Sequence, residues 1–383
     1  MVSLWQPCID PAYVEGLRAF AAAHIAPEAD AIDREDVYPT GLVKALAVAG
    51  YNAATTEPRY GGGGLGYGHA AAIFEEVSYA SAAVGISLIT IFQAQTILKL
   101  FGSDRLKIEY LPRFAEGLIS SYALTEASHG SDIRSLDTKA VREGAGWTIR
   151  GEKSFITSGS GAEFFIILAE TQAGISAFAV PGDTPGLSTY VGTNSATFGL
   201  RNGPHVNLVL DGVRLPEHAL IGTDGKGIRQ AVGTLNYSRT LAAAISIGIA
   251  RAAFDGALAF AGNRRAFDKR VAEFQGIQWY FADMLSEIDA ARLLVYRAAR
   301  ALDDGLETER YGSEAKLKAA AVATQVASQA VQICGAYGTM ETAPFGRYLR
   351  DAKAYEIAGG SAEILRNTIG KYLLSHLGPA VQP

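Results

Sequence analysis

The run Tyr122-Ala-Leu-Thr-Glu-Ala-Ser-His-Gly-Ser-Asp132, followed downstream by Phe155-Ile-Thr-Ser-Gly159, decides how this chain is read. Strand-like Tyr122 to Leu124 runs into Thr125, Ser128, Gly130 and Ser131, so backbone N–H donors and hydroxyls gather at a turn suited to a pyrophosphate. Alone, a small-residue turn is more often only a turn. The second run adds an aromatic ring and further hydroxyls, and together the two offer a bed for a large anionic cofactor.

Outward from these runs the chain divides into three zones. From Pro11, a proline suited to a first helical turn after Asp10, apolar positions recur at helical spacing through Ile25, with further helices expected near 39–49, 67–80, 83–101 and 104–116. Between Leu118 and Gly225 short β-branched runs bounded by glycine take over, with Lys139–Arg142 and Trp147–Arg150 joined as a hairpin across Glu143-Gly-Ala-Gly146. Phe164–Ala169, Ser176–Val180 and Val206–Leu210 are further strands. From Lys226 alanine-rich helical periodicity returns, with long helices expected near 226–262, 275–304, 313–335 and 360–376. The expected fold is a multidomain α+β chain. It has an N-terminal helical domain (1–120), a middle antiparallel β-barrel or sandwich (121–225) and a C-terminal four-helix bundle (226–383).

At 383 residues and 49% hydrophobic, the chain can bury an extensive core and leave apolar surface for subunit contacts. A net charge of −5 without a clustered Lys/Arg face speaks against nucleic acid or an anionic membrane as partner. The N-terminus lacks a basic segment followed by an apolar run, and no uninterrupted stretch reaches about 18 apolar residues, so the expectation is a cytoplasmic protein without membrane insertion. Cys8 and Cys334 lack His or Cys neighbours at metal-ligand spacing and read as free thiols, with no metal site. Gly61 to Gly64, with Gly66, match a dinucleotide-binding spacing, but no buried strand precedes them. A helix-entry turn is expected there.

The two opening runs resemble the flavin-binding strands of the acyl-CoA dehydrogenase family, and the resemblance extends along almost the whole chain. It continues through Gly151-Glu-Lys-Ser-Phe155, Gly174-Ile-Ser-Ala-Phe-Ala-Val-Pro181, Asn263-Arg-Arg-Ala-Phe267 with Glu273-Phe-Gln275, Gln332-Ile-Cys-Gly335 and Arg350-Asp-Ala-Lys353. It implies FAD as cofactor, with Tyr122, Leu124 and Thr125 beside the isoalloxazine, Phe155 packed on its ring and the Thr157 hydroxyl near N5. Gly130 and Ser131 match pyrophosphate contacts, and Ser361 and Glu363 also fall at cofactor positions. Arg264, Phe267, Gln275, Gln332 and Gly335 match residues that reach a neighbouring subunit's FAD, which implies a homotetramer, a dimer of dimers. A forked, permanently charged guanidinium suits a diphosphate; without the resemblance, Arg264 and Arg265 would read as a solvated helix end.

The implied reaction, dehydrogenation of an acyl thioester carried by CoA or by an acyl-carrier protein, needs a base for the α-proton, worth about 10² to 10⁴ in rate. Many family members carry a glutamate just before a Gly-Thr or Gly-Ser step; in Tyr355-Glu-Ile-Ala-Gly-Gly-Ser361 that position is Gly359. Long-chain and isovaleryl-type members place it on the preceding long helix before an arginine, and here that position is Ser238, ahead of Arg239. Both usual base positions lack a carboxylate. Glu356, three residues from Gly359, is the substitute candidate, on a segment read as extended. A base-independent flavin reaction is the alternative: the chain also resembles 3-sulfinopropionyl-CoA desulfinases, although their sulfinate-binding arginine falls at Ile86, and oxygenase members are a related case. A glutamate-less subunit of a heteromeric enzyme is the remaining one.

For the substrate, the resemblance implies Asn236 and Arg239 beside the thioester, and Gln93 and Gln95 on a helix lining the acyl pocket. Departures from the family pattern are Ala127 for proline, Phe155 for tryptophan, Asp268 for glycine and Ala336 for glycine. Asp268 is the one expected to disturb cofactor binding, because its carboxylate would repel a diphosphate.

Overall fold

The computed structural model describes residues 9–193, 195–306 and 308–377; Cys8 lies outside them. Asp10 opens helix α1 (Pro11–Phe20) by accepting the Ala12 N–H at 2.9 Å, with proline in the first turn, which satisfies one orphan donor and removes another. The helix runs on as a π-helical stretch to Ile25 and is followed by α2 (Ala29–Glu35) and α3 (Thr40–Val48). The four-glycine run forms coil and turn ahead of α4 (Tyr67–Ala80), with Gly61 and Gly64 at φ +79° and +65°. Helices α5 (Ala82–Phe101) and α6 (Asp104–Ala115) complete this zone.

The middle zone holds β1 (Ser120–Ala123), β2 (Lys139–Glu143), β3 (Gly146–Ile156), β4 (Phe164–Thr171), β5 (Gly174–Pro181), β6 (Leu187–Tyr190), β7 (Val206–Pro216) and β8 (Leu220–Ile221). The expected hairpin is present as β2 paired antiparallel with β3. The sheet is mixed rather than all antiparallel: β1 runs parallel to β4, and β2 touches β4 in parallel through Lys139 and Glu170. Phe164–Ala169 are all buried, the continuous apolar pattern of a strand covered on both faces, which parallel pairing favours.

The C-terminal zone consists of α7 (Gly227–Asn263), the short strands β9 (Arg265–Ala266) and β10 (Lys269–Arg270), then α8 (Gln275–Asp303), α9 (Thr308–Cys334), α10 (Phe345–Tyr355) and α11 (Ala362–Ser375). Among the described residues it has five helices, where four were expected. The segment before Glu356, read as extended, is α10, whose buried face carries Phe345, Ala352 and Tyr355 at helical spacing. Helices α5 and α7 are long and apolar enough by mean hydropathy to cross a bilayer, but 78% and 72% of their most apolar windows are buried inside the protein. Interspersed Ser, Thr and Gln hide them from a search for uninterrupted apolar runs.

The N-terminal and C-terminal helices share one core. Helix α7 approaches α4 so closely that a Cβ at Gly248 would lie 2.5 Å from the Glu75 carbonyl. The fully buried Glu75 carboxylate pairs with Arg251 at 2.6 Å and Arg292 at 2.8 Å, as a buried charge must. Asp303, at the end of α8, accepts the Tyr67 and Gly68 N–H groups at 2.5 and 3.2 Å and so caps α4.

Candidate active site

The two opening runs lie side by side. Ser154 N–H donates to the Thr125 carbonyl at 2.9 Å, and Ser121 Oγ donates to the Thr157 carbonyl at 2.6 Å, tying the end of β1 to the end of β3. Beneath them Lys153 and Glu126 form a buried ion pair at 2.7 Å, and Glu126 also accepts the Asp137 and Thr138 N–H groups. Burial would raise the Glu126 carboxyl, but Lys153 and these donors outweigh it and hold it below its ordinary value, while burial pulls Lys153 down to about 8. This pair fixes the turn that carries Gly130 and Ser131, which are exposed.

Several atoms here await a partner. Tyr122 Oη is buried with no partner in the protein, and burial pushes its phenol up. Phe155 is held at φ +56° and leaves 55% of its surface exposed, an unfavourable backbone for an aromatic residue. Thr157 is half-buried, its Oγ1 3.4 Å from His205 Nε2. The exposed Phe155 ring, the half-buried Thr157 hydroxyl and the exposed Gly130-Ser131 turn fit a planar heteroaromatic group with an anionic tail.

The usual base positions also converge. Ser238, buried on α7, donates to the Thr234 carbonyl at 3.2 Å. Its neighbour Arg239 sits 3.8 Å through Nε and Nη2 from where a Cβ on Gly360 would stand. Arg239 donates only to neutral oxygens, Asn236 Oδ1 at 3.2 Å and Ser313 Oγ at 3.3 Å, and its buried Nε is unpartnered. Fully buried Lys316 donates to the Gly360 carbonyl at 2.7 Å; burial first, then the Arg239 charge, pull it down to about 8. Gly359 has φ +72°, and a Cβ there would meet nothing within 4 Å. Neither Gly359 nor Ser238 supplies a carboxylate to this space; the charges that reach Lys316 are those of Glu356 and Glu363.

Two sequence expectations need correction here. Gln95 is buried and engaged with Thr56 Oγ1 at 2.6 Å and the Asn52 carbonyl at 2.8 Å, so it braces α5 instead of lining an acyl pocket. Gln93, two residues away and so about 200° around the helix, is half-buried and faces elsewhere. Glu356 caps α10, where it accepts from Lys353 at 2.8 Å and faces α9. Although burial raises its carboxyl, Lys353 and Thr324 outweigh this and hold it low. A tethered carboxylate of low pKa is a poor base.

Arg264 ends α7 with its guanidinium 5.5 Å from the Tyr337 ring, in a cavity of about 410 Å³ also lined by Ala259, Phe260 and Asn263. Tyr337 follows Gly335, which takes φ +58° where α9 ends, and exposed Gln332 lies just under one turn earlier. Phe267 and Asp268, both at positive φ, form the tip of the β9–β10 hairpin, a two-residue turn of the kind that matches strand twist. Gln275 begins α8, exposed. Ser361 Oγ caps α11 by accepting the Ile364 N–H at 3.4 Å, and Glu363 is exposed in its first turn.

Sequence profiles of the acyl-CoA dehydrogenase N-terminal, middle and C-terminal domains match residues 11–118, 121–213 and 225–374 in that order. The chain belongs to the acyl-CoA dehydrogenase family. It is 38% identical over 366 residues to an acyl-CoA dehydrogenase of Bacillus subtilis, covering 94% of this chain and 96% of that one. To the mitochondrial short-chain specific acyl-CoA dehydrogenase of Mus musculus it is 36% identical, covering 93% and 88%. The solved structure of butyryl-CoA dehydrogenase from Megasphaera elsdenii superposes with a TM-score of 0.92 at 31% identity, covering 98% and 99%.

As an acyl-CoA dehydrogenase family member the protein is an oxidoreductase of an FAD-binding family. Four side chains in the site escaped the sequence reading. Lys153 and Glu126 lie 27 positions apart and pair only because β1 and β3 are neighbours. Lys316 reads as one more helix-surface lysine, although Ala319 and Ala320, one turn further along α9, hinted at a buried face. His205, just before β7, has no local motif to mark it.

Proposed function

We propose that the protein dehydrogenates an acyl thioester, CoA-bound or carried by an acyl-carrier protein, across its α and β carbons with FAD as the oxidant. The observation that carries this reading is the joined pair of runs at Thr125 and Thr157, with the exposed Phe155 ring and the half-buried Thr157 hydroxyl on the second of them. Bound FAD supplies the hydride acceptor. Tyr122, Leu124, Thr125, Phe155 and Thr157 hold and orient its ring; Gly130 and Ser131 take the pyrophosphate, flanked by Ser361 and Glu363. Arg264, Phe267, Gln275, Gln332 and Gly335 serve the adenylate half bound to a neighbouring subunit. Asn236, Arg239 and Gln93 flank the substrate. In the reaction the α-carbon loses a proton, a hydride leaves the β-carbon and the double bond forms between them.

The chain divides near residues 120 and 225 into its three units and works as a cytoplasmic homotetramer. Exposed Trp279, Leu285 and Leu293 on α8 and Leu373 and Leu374 on α11 supply apolar surface for subunit contact. A second reading rests on the missing carboxylate at Gly359 and Ser238: a reaction that needs no side-chain base, or a subunit whose partner supplies one. The deciding assay is turnover of a panel of acyl thioesters with an artificial electron acceptor, followed by product mass. Loss of two hydrogens supports dehydrogenation; a product with any other mass change, or no product from any thioester, contradicts it.

A further inference from the structure

The segment before β7 brings one imidazole to the rim of the site. Val206 pairs with Ile156 across β7 and β3, and the two segments are so close that a Cβ on Gly159 would lie 2.4 Å from Val206 Cγ2. This register sets His205 opposite Thr157, with Nε2 3.4 Å from the Thr157 hydroxyl oxygen. The His205 N–H donates to the Ser195 carbonyl at 3.2 Å, which anchors the residue's backbone. Burial pulls the imidazole below its ordinary range, so near neutral pH one ring nitrogen keeps a free lone pair.

We infer that His205 is a positioning residue for the Thr157 hydroxyl, accepting a hydrogen bond from it at Nε2 when that hydroxyl must itself accept a hydrogen bond. The inference rests on the proposed reading that Thr157 faces N5 of FAD. Oxidised N5 is an acceptor, and the Thr157 O–H points to it. Reduced N5 bears a hydrogen and is a donor, so a Thr157 lone pair must turn to it and the hydroxyl proton needs another acceptor. His205 Nε2 is within reach if its proton sits on Nδ1. Only the hydroxyl rotates; no proton changes owner. A threonine without this imidazole would leave its proton unpaired in the reduced state, and an unmade hydrogen bond in a half-buried site costs about 1 kcal/mol.

The readout is the midpoint potential of FAD bound to the holoenzyme. His205→Leu is expected to shift the equilibrium about fivefold toward the oxidised form, roughly 20 mV more negative for a two-electron couple. His205→Gln, which can present an amide oxygen near the same place, should restore most of the shift. In a Thr157→Ala background His205→Leu should add nothing. An unchanged potential in His205→Leu, with Thr157→Ala shifted, would overturn the role of His205 and leave the FAD reading standing. A wild-type protein that takes up no FAD would overturn both. Nitrogen-15 shifts of His205 in the wild-type enzyme need no variant: unprotonated Nε2 in the reduced enzyme is expected, and a protonated Nε2 there would sink the inference.

Discussion

Phe267 holds a left-handed backbone, φ +50°, and leaves 88% of its surface exposed; an edge-on approach to the Phe274 ring at 6.2 Å covers little of it. Phe267→Asn suits the turn better and is predicted to hold or raise thermal stability, by up to about 1 kcal/mol, while FAD is lost more readily on dialysis; tight retention would show that the ring serves no cofactor. Asp268 shares the turn, and Arg265 donates to its carbonyl at 2.6 Å, so its identity suits the hairpin, a constraint invisible when the motif is read as a string. Lys316 gives a pH signature. Its amine is charged in the unfolded chain up to about 10.5 but in the folded protein only up to about 8, so between these values the unfolded state binds more protons and stability rises with pH. The melting temperature of the wild type relative to Lys316→Met is therefore predicted to climb from pH 8 to 10.5, by the equivalent of at most roughly 3 kcal/mol; a flat difference would contradict a burial cost larger than the compensation from Glu356 and Glu363. Glu356→Gln is predicted to keep near wild-type turnover, since its carboxylate is committed to Lys353.

At the scale of elements, α4 begins without a capping side chain of its own and borrows Asp303 from the far end of α8. Asp303→Ala is predicted to destabilise the fold by about 1–2 kcal/mol in urea unfolding, and Asp303→Asn by less, since its amide oxygen still accepts. Most helices were legible because their apolar faces recur every three to four residues, and α3 to α6 begin and end within a residue or two of expectation. α10 was missed because attention to Arg350–Lys353 as a motif hid the period running from Phe345 to Tyr355. The parallel β1–β4 pairing was not legible at all: each strand's own pattern fits either direction, and only the partner decides. Likewise the ligand-binding runs could be found from local composition, whereas Gln95 could not be assigned, because its partners at Thr56 and Asn52 lie some 40 positions away.

For the molecule as a whole, the residues proposed to hold the cofactor are split between two places on one chain, the β1–β3 rim and the hairpin at Phe267 with Arg264 and Tyr337. If each FAD bridges two subunits, light scattering should give a mass near four times the 40.5 kDa chain, and dilution below the assembly threshold should release FAD together with the subunits; a flavin-loaded monomer would contradict the split site. In the proposed site two buried cations, Arg239 and Lys316, stand beside two positions, Gly359 and Ser238, that carry no carboxylate. The most direct test mixes the FAD-loaded enzyme with a saturating acyl-CoA in the absence of oxygen and follows flavin absorbance while the product is weighed. The account predicts bleaching in step with loss of two hydrogens from the thioester; product formed while the flavin stays oxidised would contradict it.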